Sequence, residues 1–308
     1  RVKQLKFQGK FKNYPRFMIK TTASALSWDE WAKHHGIKVV NVPVGFKEIA
    51  NMIGESKVFD DLKYMMEFYD SISMSCFSFV ATGTNGITNY ASYVYSAIEG
   101  TLDSITILLK NGRINDAYTL IRKLFDDILL EIYMDVTLKD KISIDNFFVQ
   151  EVNEWIHEKH RIPRTDKILK CLKESQRTKD LYPLFGWDTY LKKNRELLDD
   201  SVHSNRFNLL LLNCNTVYIK DRERHLRNCE VMLNQLFLIH LSFIFHLNSH
   251  YLMASDYMDH MDLGLTPPEG SENWIASFAQ DAFDKIIRPH RAIADFIIST
   301  CPLEIYKK

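Results

Sequence analysis

The feature that most constrains this chain is the helical spacing of its apolar residues. From residue 46 onward, apolar side chains recur every three or four positions, which is the period of an α-helix with one buried face. The clearest case is the segment Asn111–Val136, whose apolar stripe consists of Ala117, Ile121, Leu124, Ile128 and Ile132. We therefore predict an all-α protein built as a helical bundle.

The first part of the chain follows a different pattern. Residues 1–26 are basic and irregular, with room for one short strand, and residues 37–46 are β-branched and bounded by turn residues. A single strand cannot make a sheet, so residues 37–46 are either an extended connector or pair with the N-terminal arm. Short helices are predicted from Ser27, which opens a capping box, and at Phe46–Ile53.

Turn and loop signals divide the chain into three predicted parts. Asn111-Gly112 predicts a tight turn between two antiparallel helices, and Ser143–His160 is expected to form one later helix. The most loop-like stretch, and the best candidate linker, is Asp256–Asn273. We predict an N-terminal arm with short helices over residues 1–80, a helical-bundle core over 81–255, and a loop with C-terminal helices over 256–308.

Charge and cysteine content limit the function classes. Lysine and arginine total 39, as do aspartate and glutamate, so no overall field would hold a polyanion and nucleic-acid binding would need a local patch. The five cysteines are scattered without a CxxC pair, which favours reduced thiols in a cytosolic protein. The first twenty residues contain no apolar segment typical of a signal peptide, so a cytoplasmic location is expected.

The most apolar segment, Val231–Met253, is long enough to span a bilayer, which takes about 20 residues. Polar residues interrupt it, and central polar groups are costly in lipid. We predict a buried core helix and no membrane association, with two of its histidines, His240 and His246, hydrogen-bonded to their neighbours.

Two helical segments carry the candidate site. Arg195, Asp199 and His203 recur every four residues within Trp187–Asn213, so they stack along one side of that helix. The apolar residues close to that side, which would place it at the edge of the core, are Trp187, Leu191, Leu198 and Val202. Asn205 follows with a side chain able to cap the helix or hold a ligand.

Arg122 and Asp126 show the same four-residue spacing in the earlier helix, Asn111–Val136. Each set also has a purely structural interpretation. Exposed i,i+4 pairs are common, and an arginine at a helix–helix interface must be paired whether or not it binds a ligand.

Metal-binding patterns are weaker. Glu154, His157 and His160 have a spacing that can ligate a metal in a bundle, but the second copy that a two-metal site needs is missing, so an exposed helix end is the simpler interpretation. A solvated acidic loop likewise explains Asp256, Asp259, His260 and Asp262. We predict neither a metal nor a cofactor.

The segments containing Gly112–Tyr133 and Tyr190–Asn205 resemble paired helices of bacterial all-α proteins related to the HEPN superfamily (higher eukaryotes and prokaryotes nucleotide-binding). This resemblance covers about 100 residues, Gly112–Asn213. It implies a helical bundle that is often dimeric and carries a functional arginine and histidine. Active members are metal-independent endoribonucleases, frequently of toxin–antitoxin or phage-defence systems, whereas others serve as binding or assembly modules.

Carried onto this chain, the resemblance implies that His203 transfers protons, because an unperturbed histidine titrates near neutral pH. Arg195 or Arg122 would hold the phosphate, with Asp126, Asp199 and Asn205 as binding residues. The leading hypothesis is an RNA- or nucleotide-binding protein that cleaves RNA in its active form and forms a homodimer or binds a protein partner. The alternative is a non-catalytic interaction or assembly module whose polar residues fix helix register.

Overall fold

A computed structural model describes residues 17–21, 27–36, 38–42, 56–76, 89–144, 146, 148–214 and 221–306. Its first elements are β1 (Phe17–Thr21), α1 (Ser27–His34) and β2 (Lys38–Val42). The two strands are parallel, with Phe17 opposite Lys38, so the predicted strand pairs with the N-terminal arm. The short helix predicted at Phe46–Ile53 and the boundary between residues 80 and 81 lie outside the described residues.

Four long helices form the bundle predicted from the apolar periodicity. They are α2 (Val58–Ser75), α3 (Tyr90–Lys110), α4 (Ile114–Lys141) and a later helix, α9 (Arg222–Leu247). Each contacts the next and α9 also contacts α2, so the four enclose one apolar core. The all-α prediction is confirmed.

The turn between α3 and α4 follows the Asn111-Gly112 signal. Gly112 has a φ of +68°, a left-handed conformation that costs glycine nothing. The backbone N–H of Gly112 donates to the carbonyl of Leu109 at 2.9 Å, and that of Arg113 donates to Leu108 at 2.8 Å. This pair of bonds is a Schellman motif, which satisfies the last carbonyls of α3 and reverses the chain into α4.

Shorter helices cover the outer side of α4. They are α5 (Gln150–Ile156), α6 (Thr165–Glu174) and α7 (Lys192–Val202), which follows a π-helical turn at Trp187–Leu191, and then the four-residue α8 (Phe207–Leu210). The predicted helix start at Ser143 is wrong. Ser143 forms an isolated antiparallel bridge with Asn146, whose side chain also donates to the carbonyl of Lys141, so the chain turns there and α5 begins at Gln150.

The C-terminal part contains α10 (Asp256–Asp262), α11 (Ser277–Ala282), a π-helical turn (Phe283–Ile287) and α12 (Arg291–Thr300). The stretch Asp256–Asn273, which was expected to be a loop, therefore begins with a helix. This helix has acidic residues in its first turn, where their negative charge interacts favourably with the helix dipole. Apolar side chains from this part enter the same core as the long helices: Ala279, Ala282, Phe283, Ile287 and Ile297 are completely buried.

The helix α9 corresponds to most of the apolar segment Val231–Met253. By length and composition it could cross a membrane, and 67% of its most apolar window is buried inside the protein. Its polar side chains have partners. Asn234 donates to Asp61 at 2.6 Å, and the Nε2 atom of His246 lies 2.6 Å from the carbonyl oxygen of Arg177. The predicted core helix is present and ends at Leu247.

Candidate functional site

Arg122 links two helices through two carboxylates. Its Nε donates to Oδ1 of Asp199 on α7 at 2.6 Å, and its Nη1 forms an ion pair with Asp126 one turn along α4. Thr165 on α6 also donates to Asp126, at 3.2 Å. The guanidinium side chain is 13% exposed, so this group is held at the contact between three helices.

The protonation state of Arg122 is fixed by these partners. Burial by itself would lower its pKa, but hydrogen bonds and charge from Asp126 and Asp199 outweigh burial and raise it. With both sides of its guanidinium engaged, Arg122 has a structural role in this arrangement. Its removal would leave two carboxylates facing each other.

Arg195 is held more loosely. Its Nε lies 3.8 Å from Oδ2 of Asp199 and is buried without a hydrogen-bond partner among the described residues. The side chain lies in the wall of a cavity of about 740 Å³. We call it the Arg195 cavity. Its aromatic wall residues are Phe125, Tyr182 and Trp187, and its charged wall residues are the cations Lys170, Lys173, Lys192 and Arg195 and the acids Asp166, Glu174 and Asp188.

Acidic residues neutralise only part of this wall. Lys170 lies 3.9 Å from Glu174, and Lys173 lies 4.0 Å from Asp188, so both lysines have a carboxylate partner. Lys192 forms no ion pair with a described residue. Arg195 also has a partner at a similar distance, because its Nε lies 3.8 Å from Asp199. Lys192, on the first turn of α7, is therefore the wall cation without an ion pair among the described residues.

Two aromatic rings of the cavity wall stack on each other. The rings of Tyr182 and Trp187 are stacked with centroids 5.1 Å apart and an interplanar angle of 12°. Both residues are buried, and burial together with the charge of Asp188 raises the pKa of Tyr182 to about 12. A neutral tyrosine and an indole ring thus line the same cavity as Lys192 and Arg195.

His203 follows the last residue of α7 and is exposed. No ion pair or side-chain hydrogen bond joins it to Arg122, Arg195 or Asp199. The next residue, Ser204, has a φ of +53°, and the N–H of Asn205 donates to the carbonyl of Asp200 at 3.0 Å, so α7 ends in a Schellman motif.

The side chain of Asn205 takes part in this helix end. Its Nδ2 donates to Oδ1 of Asp200 at 3.1 Å, and Arg206 pairs with the other oxygen of Asp200 at 2.6 Å. Asn205 therefore holds the C-terminal end of α7, which is one of the two roles left open by the sequence. Val202, expected at the edge of the core, is 43% exposed.

The structure thus divides the predicted site into two parts. Arg122, Asp126, Arg195 and Asp199 form one cluster, with Asp199 shared by both arginines. His203 and Asn205 lie beyond that cluster at the end of α7. Among the described residues, no group of three or more His, Cys, Asp or Glu is arranged to hold a metal ion.

A second polar group, absent from the sequence-based site, lies inside the bundle. Glu131 on α4 is 1% exposed and accepts a hydrogen bond from the hydroxyl of Tyr95 on α3. Its other oxygen lies 3.1 Å from Nε2 of His240 on α9, while Nδ1 of His240 lies 2.7 Å from the hydroxyl of Tyr69 on α2. One chain of hydrogen bonds therefore crosses all four long helices.

Asp135 extends this group by one helical turn. It is 3% exposed and accepts hydrogen bonds from the hydroxyl of Tyr90 and the side-chain amide of Asn248. We call the whole group the Glu131 cluster; its members are Tyr69, Tyr90, Tyr95, Glu131, Asp135, His240 and Asn248.

Burial controls the charge of the Glu131 cluster. It raises the pKa of Glu131 to about 7, although hydrogen bonds from Tyr95 and Asp135 act in the opposite direction. Burial, followed by the charge of Glu131, also raises the pKa of Asp135. Burial lowers the pKa of His240 to about 3, so this ring is neutral at pH 7. The two carboxyl groups, four residues apart, therefore both bind protons more tightly than they would in water.

The two acids of this cluster could have been found from the spacing of the apolar residues on α4. Continuing the spacing of Ala117, Ile121, Leu124 and Ile128 by three and then four residues leads to Glu131 and Asp135. Two acids at positions of an apolar stripe predict buried, hydrogen-bonded carboxyl groups. The partners from α2, α3 and α9 could not be read from that spacing.

No protein-family model matches this chain, and no curated protein or solved structure matches it either.

Proposed function

We propose that this chain binds RNA or a nucleotide, with a phosphate held by Arg195 at the Arg195 cavity. The observation that carries the proposal is the contrast between the two arginines. Arg122 is engaged by two carboxylates and lies 2.6 Å from Asp199, whereas Arg195 lies 3.8 Å from Asp199 and its Nε has no hydrogen-bond partner among the described residues. A guanidinium with unused donors is suited to a phosphate.

The rest of the cavity wall supports the same ligand class. Lys192 adds a cation without an ion pair to a described residue, and the aromatic residue Trp187 lines the same cavity. Positive charge tracks a nucleic-acid backbone, and aromatic side chains provide a surface for bases. The volume of about 740 Å³ lies within the range of small-ligand sites, which is about 300–1,000 Å³.

RNA cleavage is the further activity implied by the HEPN resemblance, and it would require His203. This histidine is exposed and therefore accessible to a long ligand that continues from the cavity along α7. However, eight helical residues from Arg195 to His203 span about 12 Å, so the two side chains do not flank one point of the helix. Binding is thus better supported than cleavage.

Binding is tested with a fluorescent single-stranded RNA of about twelve nucleotides, by anisotropy at low salt. Arg195→Ala and Lys192→Ala should each weaken binding about tenfold, because each removes a phosphate contact. Lys193→Ala is the matched control, since Lys193 is the exposed neighbour of Lys192 outside the cavity wall, and it should change the Kd less than about twofold. Equal effects of the three substitutions would contradict a specific site.

Cleavage is tested with the same RNA in the presence of a chelator, followed by gel electrophoresis. Products that form with the wild type and disappear with His203→Ala would support the endoribonuclease function. Cleavage that persists in His203→Ala would exclude His203 as the proton-transfer group.

A non-catalytic interaction module is the second candidate, and the engagement of Arg122 favours it. An arginine that ties α4 to α7 through Asp199 fixes helix register without any ligand. If the chain is an interaction module, it should not bind RNA. Light scattering of the purified chain should then show a stable homodimer, or else the chain should assemble only with a different protein.

A further inference from the structure

A second cavity, of about 450 Å³, lies between α3, α4 and the end of α5. Three of its wall residues are aromatic, namely Tyr90, Tyr93 and Trp155, and three are charged, namely Lys123, Asp127 and Glu158. Exposed residues such as Tyr93 and Glu158 lie in its wall, so it opens to solvent. We call it the aromatic cavity. It is separate from the Arg195 cavity, with which it shares no wall residue.

The aromatic rings are arranged around a common space. The ring centroids of Tyr90 and Trp155 are 6.4 Å apart and the ring planes meet at 88°, so the two rings pack edge to face. The hydroxyl of Tyr90 donates to the buried carboxyl group of Asp135. This hydrogen bond holds the Tyr90 ring in the cavity wall.

The charges of the wall favour a cation as well. Lys123 is bonded to Asp127 four residues later and lies 3.4 Å from the hydroxyl of Thr101, so these two wall charges neutralise each other. Glu158 forms no ion pair with a described residue and is left as the uncompensated charge. The wall therefore has a net charge of one negative unit.

The backbone at Glu158 is a further indication. The N–H of Glu158 donates to the carbonyl of Trp155 at 3.0 Å, and that of Lys159 donates to Glu154 at 2.8 Å, which is a Schellman end for α5. Glu158 occupies the left-handed position of that motif, with a φ of +58°, where glycine is usual. A glutamate held there despite the strain places a carboxylate at the cavity, and strain of this kind is concentrated at functional sites.

From these features we propose that the aromatic cavity binds a small organic cation of the alkylammonium class. The charged head would lie against the aromatic wall formed by Tyr90, Tyr93 and Trp155, with Glu158 as its counterion. Aromatic side chains with a nearby carboxylate are the usual way in which proteins bind quaternary ammonium groups, which cannot donate hydrogen bonds. An anion is disfavoured by Glu158, and a neutral apolar ligand would leave that charge without a function.

Choline is the probe, and 3,3-dimethylbutan-1-ol, in which carbon replaces the nitrogen, is its neutral counterpart. Both are titrated into the full chain at neutral pH by calorimetry. Choline should bind at least about tenfold more tightly than the alcohol, because only the cation gains from the rings and from Glu158. Equal affinities, or no choline binding up to about 50 mM, would overturn the proposal.

Variants of the wall separate binding from structure. Tyr93→Leu and Trp155→Leu should each weaken choline binding about tenfold, and Tyr93 is 39% exposed, so that variant should fold. Glu158→Gln should weaken it several-fold. The matched control is Glu154→Gln on the same helix, which lies outside the cavity wall and should leave the affinity unchanged. Unchanged affinity in both Tyr93→Leu and Glu158→Gln would exclude this site.

Glu158→Gly gives the sharpest test. Glycine removes the backbone strain, so the melting temperature should rise, while choline affinity falls as it does in Glu158→Gln. If Glu158 had only a structural role, the Glu158→Gly variant would be less stable than the wild type and would bind choline with the same affinity. That result would contradict the proposal. If a trimethyllysine peptide binds more tightly than choline, the ligand of this site is a methylated lysine side chain of a protein. That result would overturn the assignment to a small molecule.

Discussion

Two polar pairs on α4 have the same spacing and opposite environments. Arg122 and Asp126 are four residues apart, as are Glu131 and Asp135. The first pair lies at the protein surface, where the carboxylates of Asp126 and Asp199 are 47% and 41% exposed. The second pair is almost completely buried and contains two groups of like charge.

The difference shows that the environment of a polar residue decides whether it keeps its charge and how much it contributes to stability. Near the surface, Arg122 keeps its charge and water solvates the free carboxylate oxygens, so such ion pairs contribute little stability per pair. In the core, charge is lost instead. Glu131 and Asp135 accept hydrogen bonds from Tyr90, Tyr95, Asn248 and His240. The pKa of both carboxyl groups is raised because burial disfavours their charged forms.

The largest expected effect is that of Glu131→Ala. It leaves the hydroxyl of Tyr95 and the ring of His240 buried without their acceptor and opens a cavity, so the free energy of unfolding should fall by about 3–5 kcal/mol. Chemical denaturation measures this loss. Glu131→Gln, which keeps the shape and an acceptor oxygen, should lose less, and a loss below about 1 kcal/mol in Glu131→Ala would show that the cluster contributes little to stability.

The second prediction concerns pH. The pKa of Glu131 is raised by burial from its usual value of 4.5 to about 7 in the folded protein, so the folded state binds the proton more tightly. The stability that this group contributes is therefore full below pH 4.5 and is lost as pH rises to about 7. The difference in unfolding free energy between the wild type and Glu131→Gln should shrink over that window, by at most about 1.4 kcal/mol per pH unit. A difference that is constant or grows would contradict a protonated Glu131.

Arg122→Ala should have a smaller effect, a loss of about 1–2 kcal/mol of unfolding free energy. The substitution leaves Asp126 and Asp199 close together, but both are nearly half exposed and water compensates part of the loss. Arg122→Lys is the control and should recover part of the stability, because lysine keeps the charge without the forked geometry. If Arg122→Ala is as destabilising as Glu131→Ala, the contrast between the two pairs is wrong.

His203→Ala should have the smallest effect on stability, less than about 0.5 kcal/mol, because the side chain is exposed and makes no hydrogen bond to a described residue. Denaturation of this variant beside the wild type checks the expectation. A loss above about 1 kcal/mol would indicate that His203 has a structural partner, and a loss of RNA cleavage in this variant could then not be assigned to chemistry alone.

The sequence predicted those features of the fold that depend on local spacing. The apolar stripe of α4, the Asn111-Gly112 turn and the core position of α9 each follow from neighbours within a few residues. The same local reasoning was wrong at Ser143, where a bridge with Asn146 interrupts the expected helix, and at Asp256, where turn-rich composition hid a short helix.

By itself the sequence determined that this chain is an all-α bundle and that Arg122 can meet Asp126, since four-residue spacing places them on one helix face. Only the tertiary structure decided that Asp199, 77 positions away, also binds Arg122, and that Glu131 meets His240 across 109 positions. The reason is physical. A residue's own helix fixes which way its side chain points, whereas its partner depends on how the helices are packed and aligned, which is set by the whole core.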